Sequence, residues 1–354
     1  MAYTTIDDPS AYFQTKIYAG NNASNLVLTF DGNSDLQPDF LWQKQRGGAT
    51  DHNLSNSVIG ADQGLSSNTN EEEQDNGTGY IKSFQSDGFT VGNSDKVNAS
   101  SSTNVAWAWK AGTSFTNDAS GTGIGSIDSA GSVNNDAGFS IVTYTGNDAV
   151  ATVKHGLSSA PKMMIIKDRT ANTTNDWLVY HDAIGNTKSI KLNLTGAEGT
   201  DAPAWNNTSP TSSVFTIARN GNINGDGNTI VAYCFAEKQG YSKFGSYVAN
   251  NGDGNSTFVY LGFKPAWIMV KKSSGTQSWY IGDNKRLGYN PKNENVNADS
   301  ASAEFSQDNW DVLSNGFKIK NNGAGVGTDG DTYIYMAFAE NPFVTSTGIP
   351  TTAR

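Results

Sequence analysis

The chain has 354 residues and a formal net charge of −10, and only 16% of its residues are charged. This acidic balance argues against binding to the phosphate backbone of nucleic acids, which requires clustered Lys and Arg. It also disfavours attraction to anionic lipid surfaces. Cys234 is the only cysteine, so no intramolecular disulfide framework is possible. Abundant Gly, Asn, Ser and Thr favour turns and short strands over helices.

Residues 1–12 carry little hydrophobicity and predict an N-terminal arm. The arm is either an attachment segment or a frayed terminus, and both interpretations stay open. It has no basic region and no apolar core, so no secretory signal peptide is predicted. No run of the sequence is long enough in apolar residues to span a bilayer, and no membrane insertion is expected.

One short stretch occurs three times, at residues 37–44, 160–167 and 264–271. Each copy has a Pro, a spacer residue, an apolar run and a Lys six places after the Pro. Pro lacks a backbone donor and suits the position just before a strand. The run is short and rich in Ile, Val, Met and aromatic residues, which predicts a strand buried on both faces.

Two further markers follow each copy in the same order. One is a Phe-containing stretch at residues 88–91, 214–217 and 316–319, and the other is an apolar stretch at residues 104–111, 230–237 and 333–340. The order is the same and the spacing nearly the same in all three cases. The sequence therefore predicts three copies of one structural unit.

Each copy contains six or seven short strand patterns over about a hundred residues, the size and rhythm of an antiparallel β-sandwich. The predicted fold class is all-β, with tandem antiparallel β-sandwich repeats of lectin-like or jelly-roll-like type. The predicted segments are unit one at 13–112, a Gly/Ser-rich linker at 113–137, unit two at 138–239, unit three at 240–343 and an extended, peripheral tail at 344–354. The linker predicts that unit one is a distinct domain, whereas units two and three form a packed pair.

The residue types that carry catalysis are sparse. The three histidines, His52, His155 and His181, lie at different places in their units, and no nucleophile elbow is present. Asp176 and Asp182 flank a strand, and Asp283 lies near the matching place in unit three. Paired carboxylates of this kind can serve glycoside hydrolysis, but their recurrence with the scaffold favours a structural role. No enzyme and no catalytic residue are predicted.

Several Asp/Gly/Asn turns resemble parts of calcium loops, at residues 224–228, 250–255 and 329–331. None has the twelve-residue loop with a terminal Glu. Tight hairpin turns explain these residues without a metal. Neither a metal nor a cofactor is predicted.

Two tryptophans, Trp205 and Trp310, lie in polar loops before the Phe markers of units two and three. An aromatic ring in a polar loop can stack on a sugar face or anchor a protein contact, and it can equally close the end of its own sandwich. Both interpretations stay open. These two residues are the candidate ligand-binding residues.

Several long stretches resemble virion proteins of marine tailed phages, namely residues 3–15, 30–39, 233–237, 240–247, 313–318 and 335–343. The resemblance covers nearly the whole chain. It implies a tail fibre, or a virion structural protein of unassigned position, with lectin-like sandwiches, and it supplies no catalytic residues. The polar loop after Arg46 departs from the family's pattern, which leaves the role of that loop open.

We therefore expect a non-enzymatic virion component, made in the host cytoplasm, that acts as a tail fibre or adhesin. Its expected partners are further copies of itself in a homotrimer, other tail or capsid proteins of the virion, and a host-surface glycan or protein. Several weak contacts in one oligomer would combine into useful avidity. A capsid decoration or tail-assembly protein without a receptor is the first alternative, and a polysaccharide depolymerase is the second.

Overall fold

Antiparallel strands joined by turns make up most of the computed structural model, which describes residues 2–351 except 76, 78, 171–173, 251–256, 287–289, 291 and 321–324. Strands hold 46% of the residues and helices 5%, and all the paired strands are antiparallel. The predicted all-β, sandwich-type fold class is therefore confirmed.

Unit one begins with a 3-10 turn (Pro9–Ala11) and contains one short helix, α1 (Asp95–Asn98). Its strands are β1 (Phe13–Ala19), β2 (Leu26–Leu28), β3 (Phe40–Gln45), β4 (Asn53–Asn56), β5 (Gly60–Leu65), β6 (Gln74–Asp75), β7 (Ile81–Gln85), β8 (Gly88–Val91) and β9 (Thr103–Trp109). They form a large sheet in the order β1-β9-β3-β4-β5-β6 and a small sheet in the order β2-β8-β7. A cluster of apolar side chains that includes Leu41 and Phe89 forms the core of this unit.

Unit two has the same organisation, with helices α2 (Ala119–Thr122), α3 (Ala202–Trp205) and α4 (Gly221–Asn224). Its strands are β10 (Thr113–Asn117), β11 (Ser129–Asn134), β12 (Phe139–Thr145), β13 (Ala151–Lys154), β14 (Met163–Asp168), β15 (Leu178–His181), β16 (Lys188–Lys191), β17 (Gly199–Thr200), β18 (Val214–Ile217) and β19 (Thr229–Phe235). The large sheet has the order β10-β11-β12-β19-β14-β15-β16-β17, and β13 pairs with β18.

Unit three is a single hydrogen-bonded series in the order β20-β27-β22-β23-β24-β25-β26-β21. Its strands are β20 (Ser242–Val248), β21 (Phe258–Tyr260), β22 (Phe263–Lys272), β23 (Trp279–Asp283), β24 (Lys292–Asn297), β25 (Phe305–Leu313), β26 (Gly316–Ile319) and β27 (Thr332–Pro342). Strand β24 pairs with β23 on one side and with β25 on the other, and so joins the two layers.

The prediction of a linker at residues 113–137 is wrong. Strand β10 pairs with β11, and β11 pairs with β12, so these residues add two strands to the large sheet of unit two. Most side chains of β10 are exposed. Ser and Thr can therefore occupy this edge hairpin, because the backbone ladder satisfies their polar main-chain groups while their side chains reach water.

The N-terminal residues pack against unit three and are not frayed. Thr4 and Ile6 are buried. The Tyr3 hydroxyl donates to the backbone oxygen of Gly262 (2.8 Å), and the Thr4 hydroxyl donates to that of Gln239 (2.8 Å). The C-terminal tail runs alongside, since the Ser346 backbone N–H donates to Asp7 Oδ1 (2.6 Å). The two ends of the described chain therefore meet at unit three.

The strand after each repeated Pro is buried on both faces, as predicted. Phe40 and Trp42 face a core that all three units share, whereas Leu41 between them faces the core of unit one. In unit two, Met163 and Met164 alternate in the same way. A strand with two apolar faces needs a layer on each side, and the second layer here comes from the neighbouring units.

The prediction that unit one is a distinct domain is therefore wrong. The shared core contains aromatic side chains from every unit, and their rings are in direct contact. The ring centres of Phe40 and Tyr233 lie 4.3 Å apart, and those of Trp109 and Phe338 lie 5.6 Å apart. Units one, two and three bury one apolar surface together.

A repeated tyrosine shows how closely the units correspond. The hydroxyls of Tyr18, Tyr144 and Tyr247 donate to the backbone oxygens of Val97, Ile223 and Val326, at 2.7, 2.8 and 2.7 Å. The acceptor lies 79 residues after the tyrosine in each unit. The same bond therefore ties the first long strand of each unit to the segment before its last long strand.

Two rings of hydrogen bonds connect the units. The first ring joins each unit to the one before it, through ring N–H groups at the start of β4, β15 and β23. Its bonds run from His52 Nε2 to Asn297 O (3.0 Å), from Trp177 Nε1 to Ser66 O (2.9 Å) and from Trp279 Nε1 to Lys191 O (2.9 Å). Because unit one bonds to unit three, the series closes on itself.

The second ring uses the far ends of the same three strands and runs in the opposite direction. Its contacts join Asn56 Nδ2 to Tyr233 Oη (2.9 Å), His181 Nε2 to Tyr335 O (3.1 Å) and Asp283 Oδ2 to Trp107 Nε1 (3.0 Å). The strand registers place Asn56, His181 and Asp283 at matching positions, opposite Phe40, Met163 and Trp267. The three units are thus arranged with approximate threefold symmetry within one chain.

Candidate functional site

Trp205 and Trp310, the candidate contact residues, do not present an aromatic face to a ligand. Each is only 1% exposed. Trp205 packs edge-on against Tyr180 and donates to the backbone oxygen of Lys188 (2.9 Å). Trp310 packs against Phe317. The burial of both rings argues against the predicted ligand contact and agrees with the alternative that each packs within its own sandwich.

Among the described residues, the large exposed aromatic side chains lie on β21 of unit three. All eight tryptophans are fully buried. Phe258 and Tyr260, by contrast, are 45% and 48% exposed, and Val259 between them is buried. Side chains two residues apart point to the same face of a strand. The two rings therefore form one exposed surface at the edge of the sheet.

Tyr3 and Lys243 flank this surface. The hydroxyls of Tyr3 and Tyr260 lie 3.3 Å apart, and burial raises the pKa of Tyr3 well above its ordinary value. The ammonium of Lys243 lies 5.2 Å from the centre of the Tyr260 ring and donates to the backbone oxygen of that residue. We call Tyr3, Phe258 and Tyr260 the aromatic edge. Its side chains are held in place by contacts with the N-terminal segment and with β20.

The aromatic edge is a feature of unit three alone. Leu28, Val153 and Val259 lie opposite the three Phe markers and so occupy matching positions. It follows that Phe258 matches Val27 and Thr152, and that Tyr260 matches Thr29 and Lys154. The alternation of residues 258–260 predicts a strand with two faces, but alternation alone does not tell which face meets solvent. The exposure of Phe258 and Tyr260 therefore cannot be predicted from the sequence.

The histidines are neutral and engaged in structural hydrogen bonds. Each Nε2 lies about 3 Å from a backbone oxygen, and each Nδ1 accepts a hydrogen bond. Burial lowers the pKa of His52 to about 3 and those of His155 and His181 to about 4. The three side chains lie in separate places and support the scaffold.

The aspartates considered for hydrolysis also have structural partners. Asp176 pairs with Lys191 (2.7 Å), Asp182 with Lys162 (2.7 Å) and the fully buried Asp283 with Arg286 (2.6 Å). The strand registers match Asp283 with His181 and not with Asp176 or Asp182, so these aspartates do not recur at one position of the repeat. Of the turns compared with calcium loops, residues 251–255 lie outside the described residues. Elsewhere in the described chain, no group of three or more His, Cys, Asp or Glu side chains is placed to hold a metal.

The lysine that ends each repeated stretch binds backbone oxygens. Lys44, Lys167 and Lys271 are buried, and burial lowers the pKa of each to about 8. Lys271 Nζ donates to the backbone oxygens of Thr195 in unit two and of Gln277 in unit three (2.9 and 2.6 Å). Lys167 Nζ likewise reaches Asn70 in unit one (3.3 Å). The ammonium groups of Lys167 and Lys271 therefore connect neighbouring units, whereas Lys44 donates to the backbone oxygens of Gln45 and Gly48 in its own unit (2.7 and 3.1 Å).

A cleft of about 250 Å³ lies where unit three meets unit one. We call it the closure cleft. Unit one lines it with Phe13, Thr15 and residues 31–33, and unit three lines it with Ala266 and Asn284. The loop of unit one is fixed by Gln14, whose side chain accepts from the Gly32 N–H (2.8 Å) and donates to the Ser34 oxygen (2.7 Å). The cleft walls are thus held by both units.

Three β-sandwich units closed around one shared core define the class of this protein. The chain belongs to the family described as Domain of unknown function (DUF7483), whose model matches residues 8–342. The match includes all three units, so the family domain is the whole closed arrangement. No curated protein matches the chain. Within the described residues, no helix has the length and apolar character needed to cross a membrane.

Proposed function

We propose that this protein is a virion structural component of a tailed phage that acts as a tail fibre or adhesin and contacts a glycan of the host surface. It has no catalytic role in this proposal. The resemblance of its long sequence stretches to virion proteins supports the phage assignment. The aromatic edge is the observation that carries the binding role.

Exposed aromatic rings on a fixed strand are suited to carbohydrate. Phe258 and Tyr260 share one face of β21, and a sugar ring can stack its C–H groups on such a surface. Lys243 and the Tyr260 hydroxyl add polar groups beside the rings. β26 pairs with β21, and Tyr3 holds Gly262 just beyond it, so the rings are placed before a ligand arrives.

The proposal includes assembly into a homotrimer attached to other tail or capsid proteins. Three aromatic edges in one particle component would convert weak single contacts into firm adhesion. Light scattering of the purified chain gives the oligomeric state directly. A chain that remains monomeric at every accessible concentration would contradict the trimer.

The double variant Phe258→Ala/Tyr260→Ala tests the binding role. We expect it to fold normally and to reduce binding to host cells by about tenfold or more, because both ring contacts are removed. Val27→Ala is the matched control, since Val27 occupies the position in unit one that Phe258 occupies in unit three. It should leave binding unchanged.

Two outcomes would contradict this proposal. Unchanged adsorption of the double variant would remove the aromatic edge as the contact surface. Failure of the wild-type protein to bind host cells at all, with the protein located on the capsid by electron microscopy, would favour a decoration or assembly protein. Release of reducing ends from host polysaccharide would instead identify a depolymerase.

A further inference from the structure

We propose that the closure cleft is a second binding site, which takes a single sugar residue or a neutral polyol of that size. This inference goes beyond the proposed function, because it concerns the junction of units one and three and stands even if the aromatic edge binds nothing. It rests on how the repeat is broken at this junction, on a buried hydroxyl that lines the cleft, and on the paired carboxylates of the cleft walls.

The first observation is that side chains bridge the corresponding place in the other two units. Asp39, Lys162 and Ala266 occupy matching positions directly after the repeated Pro, and Ser57, Asp182 and Asn284 match one another. The same backbone bond of 2.8 Å joins each pair, which confirms the correspondence.

In units one and two, side chains also connect the paired residues. The Ser57 hydroxyl donates to Asp39 Oδ1 (2.8 Å), and Lys162 forms an ion pair with Asp182 (2.7 Å). In unit three the first position is Ala266, whose methyl group is too short to reach Asn284. The cleft is lined by both of these residues. Unit three therefore has no polar side chain at this position to bridge the gap, and the cleft is open there.

The second observation is a polar atom without a partner. Thr15 is only 4% exposed, and its hydroxyl is buried with no hydrogen bond to any described residue. Leaving a buried hydroxyl unpaired costs free energy, so such groups usually have a partner. Thr15 lines the closure cleft and shares a face of β1 with Phe13. A change of the Thr15 side-chain rotamer would turn this hydroxyl towards the cleft, where a ligand hydroxyl would supply the missing partner.

The third observation is that each carboxylate around the cleft already has a partner within the protein. Asp31 pairs with Lys285 (2.9 Å) and Lys16 (3.6 Å), Glu340 pairs with Lys264 (3.0 Å), and Asp8 accepts from the hydroxyls of Ser10 and Ser34 (both 2.6 Å). The amide groups of Asn33, Asn284 and Asn341 also line it. Amides and a hydroxyl between paired charges favour a neutral ligand rich in hydroxyl groups. The volume is below the usual range for drug-sized ligands, which fits one ring.

Two variants separate binding from folding. Thr15→Val keeps the shape of the side chain and removes the hydroxyl, so it should weaken binding about fivefold while leaving thermal stability unchanged or higher. Ala266→Lys/Asn284→Asp introduces the ion pair of unit two into the cleft. It should keep the fold and abolish binding.

The experiment is a titration of the full chain, followed by NMR, with glucose, galactose, mannose and N-acetylglucosamine as separate probes. We expect at least one probe to perturb signals of residues 13–15 and 284 at millimolar concentration, and Phe258→Ala/Tyr260→Ala to leave this response unchanged. A lack of response to all four probes would overturn the proposal, as would a response that survives in Ala266→Lys/Asn284→Asp. A response lost only in the aromatic-edge variant would place the site on that edge and would equally overturn it.

Discussion

His52 Nε2 lies 3.0 Å from the backbone oxygen of Asn297, and this bond closes the first ring of contacts between the units. Trp42 Nε1 donates to His52 Nδ1 at 2.9 Å. A neutral imidazole that accepts at Nδ1 carries its proton on Nε2, so His52 donates to Asn297. It thereby replaces the indole N–H that Trp177 and Trp279 supply at the other two junctions.

Acidification should weaken the closed arrangement through His52 and His181. Burial lowers their pKa values to about 3 and about 4, whereas the unfolded chain titrates near 6.5. Between these values the unfolded chain binds more protons, so the contribution to stability is complete above about pH 6.5 and falls as the pH decreases towards 4. Urea unfolding at neutral pH and at about pH 5 measures this loss.

The variant His52→Gln is the comparison for that measurement. It should be less stable than the wild type at neutral pH, because Gln cannot reproduce both ring contacts. It should also lose less stability on acidification, since one titrating group is gone. An identical pH dependence in the two proteins would exclude His52 as a source of the effect.

The buried ion pair of Asp283 and Arg286 should be essential for stability. Both side chains are fully buried, and Asp283 also accepts from Trp107 Nε1 of unit one. Asp283→Asn leaves the guanidinium without its nearest charge and should reduce the free energy of unfolding by about 3 kcal/mol. Asp308→Asn removes the half-exposed partner of Lys320 and should cost less than about 0.5 kcal/mol. Equal losses in urea unfolding would contradict this assignment.

The three repeated tyrosines should all contribute to stability. Tyr144→Phe and Tyr247→Phe each remove one buried hydrogen bond and should each lower the free energy of unfolding by about 1 kcal/mol. Tyr18→Phe also removes the acceptor of the Gln43 side-chain amide (3.1 Å) and should lower it by about 2 kcal/mol. Tyr260→Phe, whose ring is half-exposed, is the control and should have no measurable effect. A loss confined to one of the three units would show that the bonds are not equivalent.

Alkaline pH should strengthen the fold over a narrow window. Burial lowers the pKa of Lys44, Lys167 and Lys271 to about 8, below the unfolded value of 10.5. The unfolded chain therefore binds more protons between these values, and stability rises with pH across that range until tyrosine ionisation in the unfolded chain opposes it near pH 10. Lys271→Met should show a smaller rise in the urea midpoint than the wild type or the exposed control Lys318→Met. The same rise in all three would exclude Lys271.

The repeated Pro-to-Lys stretches allowed the sequence to predict the strands and their burial on both faces, because a short apolar run with two covered faces has a clear pattern. The same pattern does not show that the second face packs on other units, so it cannot show that unit one belongs to the shared core. Residues 113–137 fit a linker because Ser and Gly are common in linkers, yet an edge hairpin tolerates them as well. The burial of Trp205 and Trp310 cannot be predicted locally, because tertiary contacts, not neighbours in the sequence, bury their rings.

The candidate sites were harder to predict than the fold. The aromatic edge required knowledge of which face of β21 meets solvent. Predicting the closure cleft would require the strand registers. Ala266, Asp39 and Lys162 can be compared only when they are known to occupy one position of the repeat. Registers are set by long-range pairing, which a single sequence does not reveal.

The shared aromatic core joins parts of a single polypeptide. In an assembly of separate subunits such a core would come apart when the protein is diluted, because association depends on concentration. Here the peptide bonds between the units fix their effective concentration, so dilution cannot separate them. The fold of each chain should therefore persist at any dilution, including when a protein particle is released into a large volume of water.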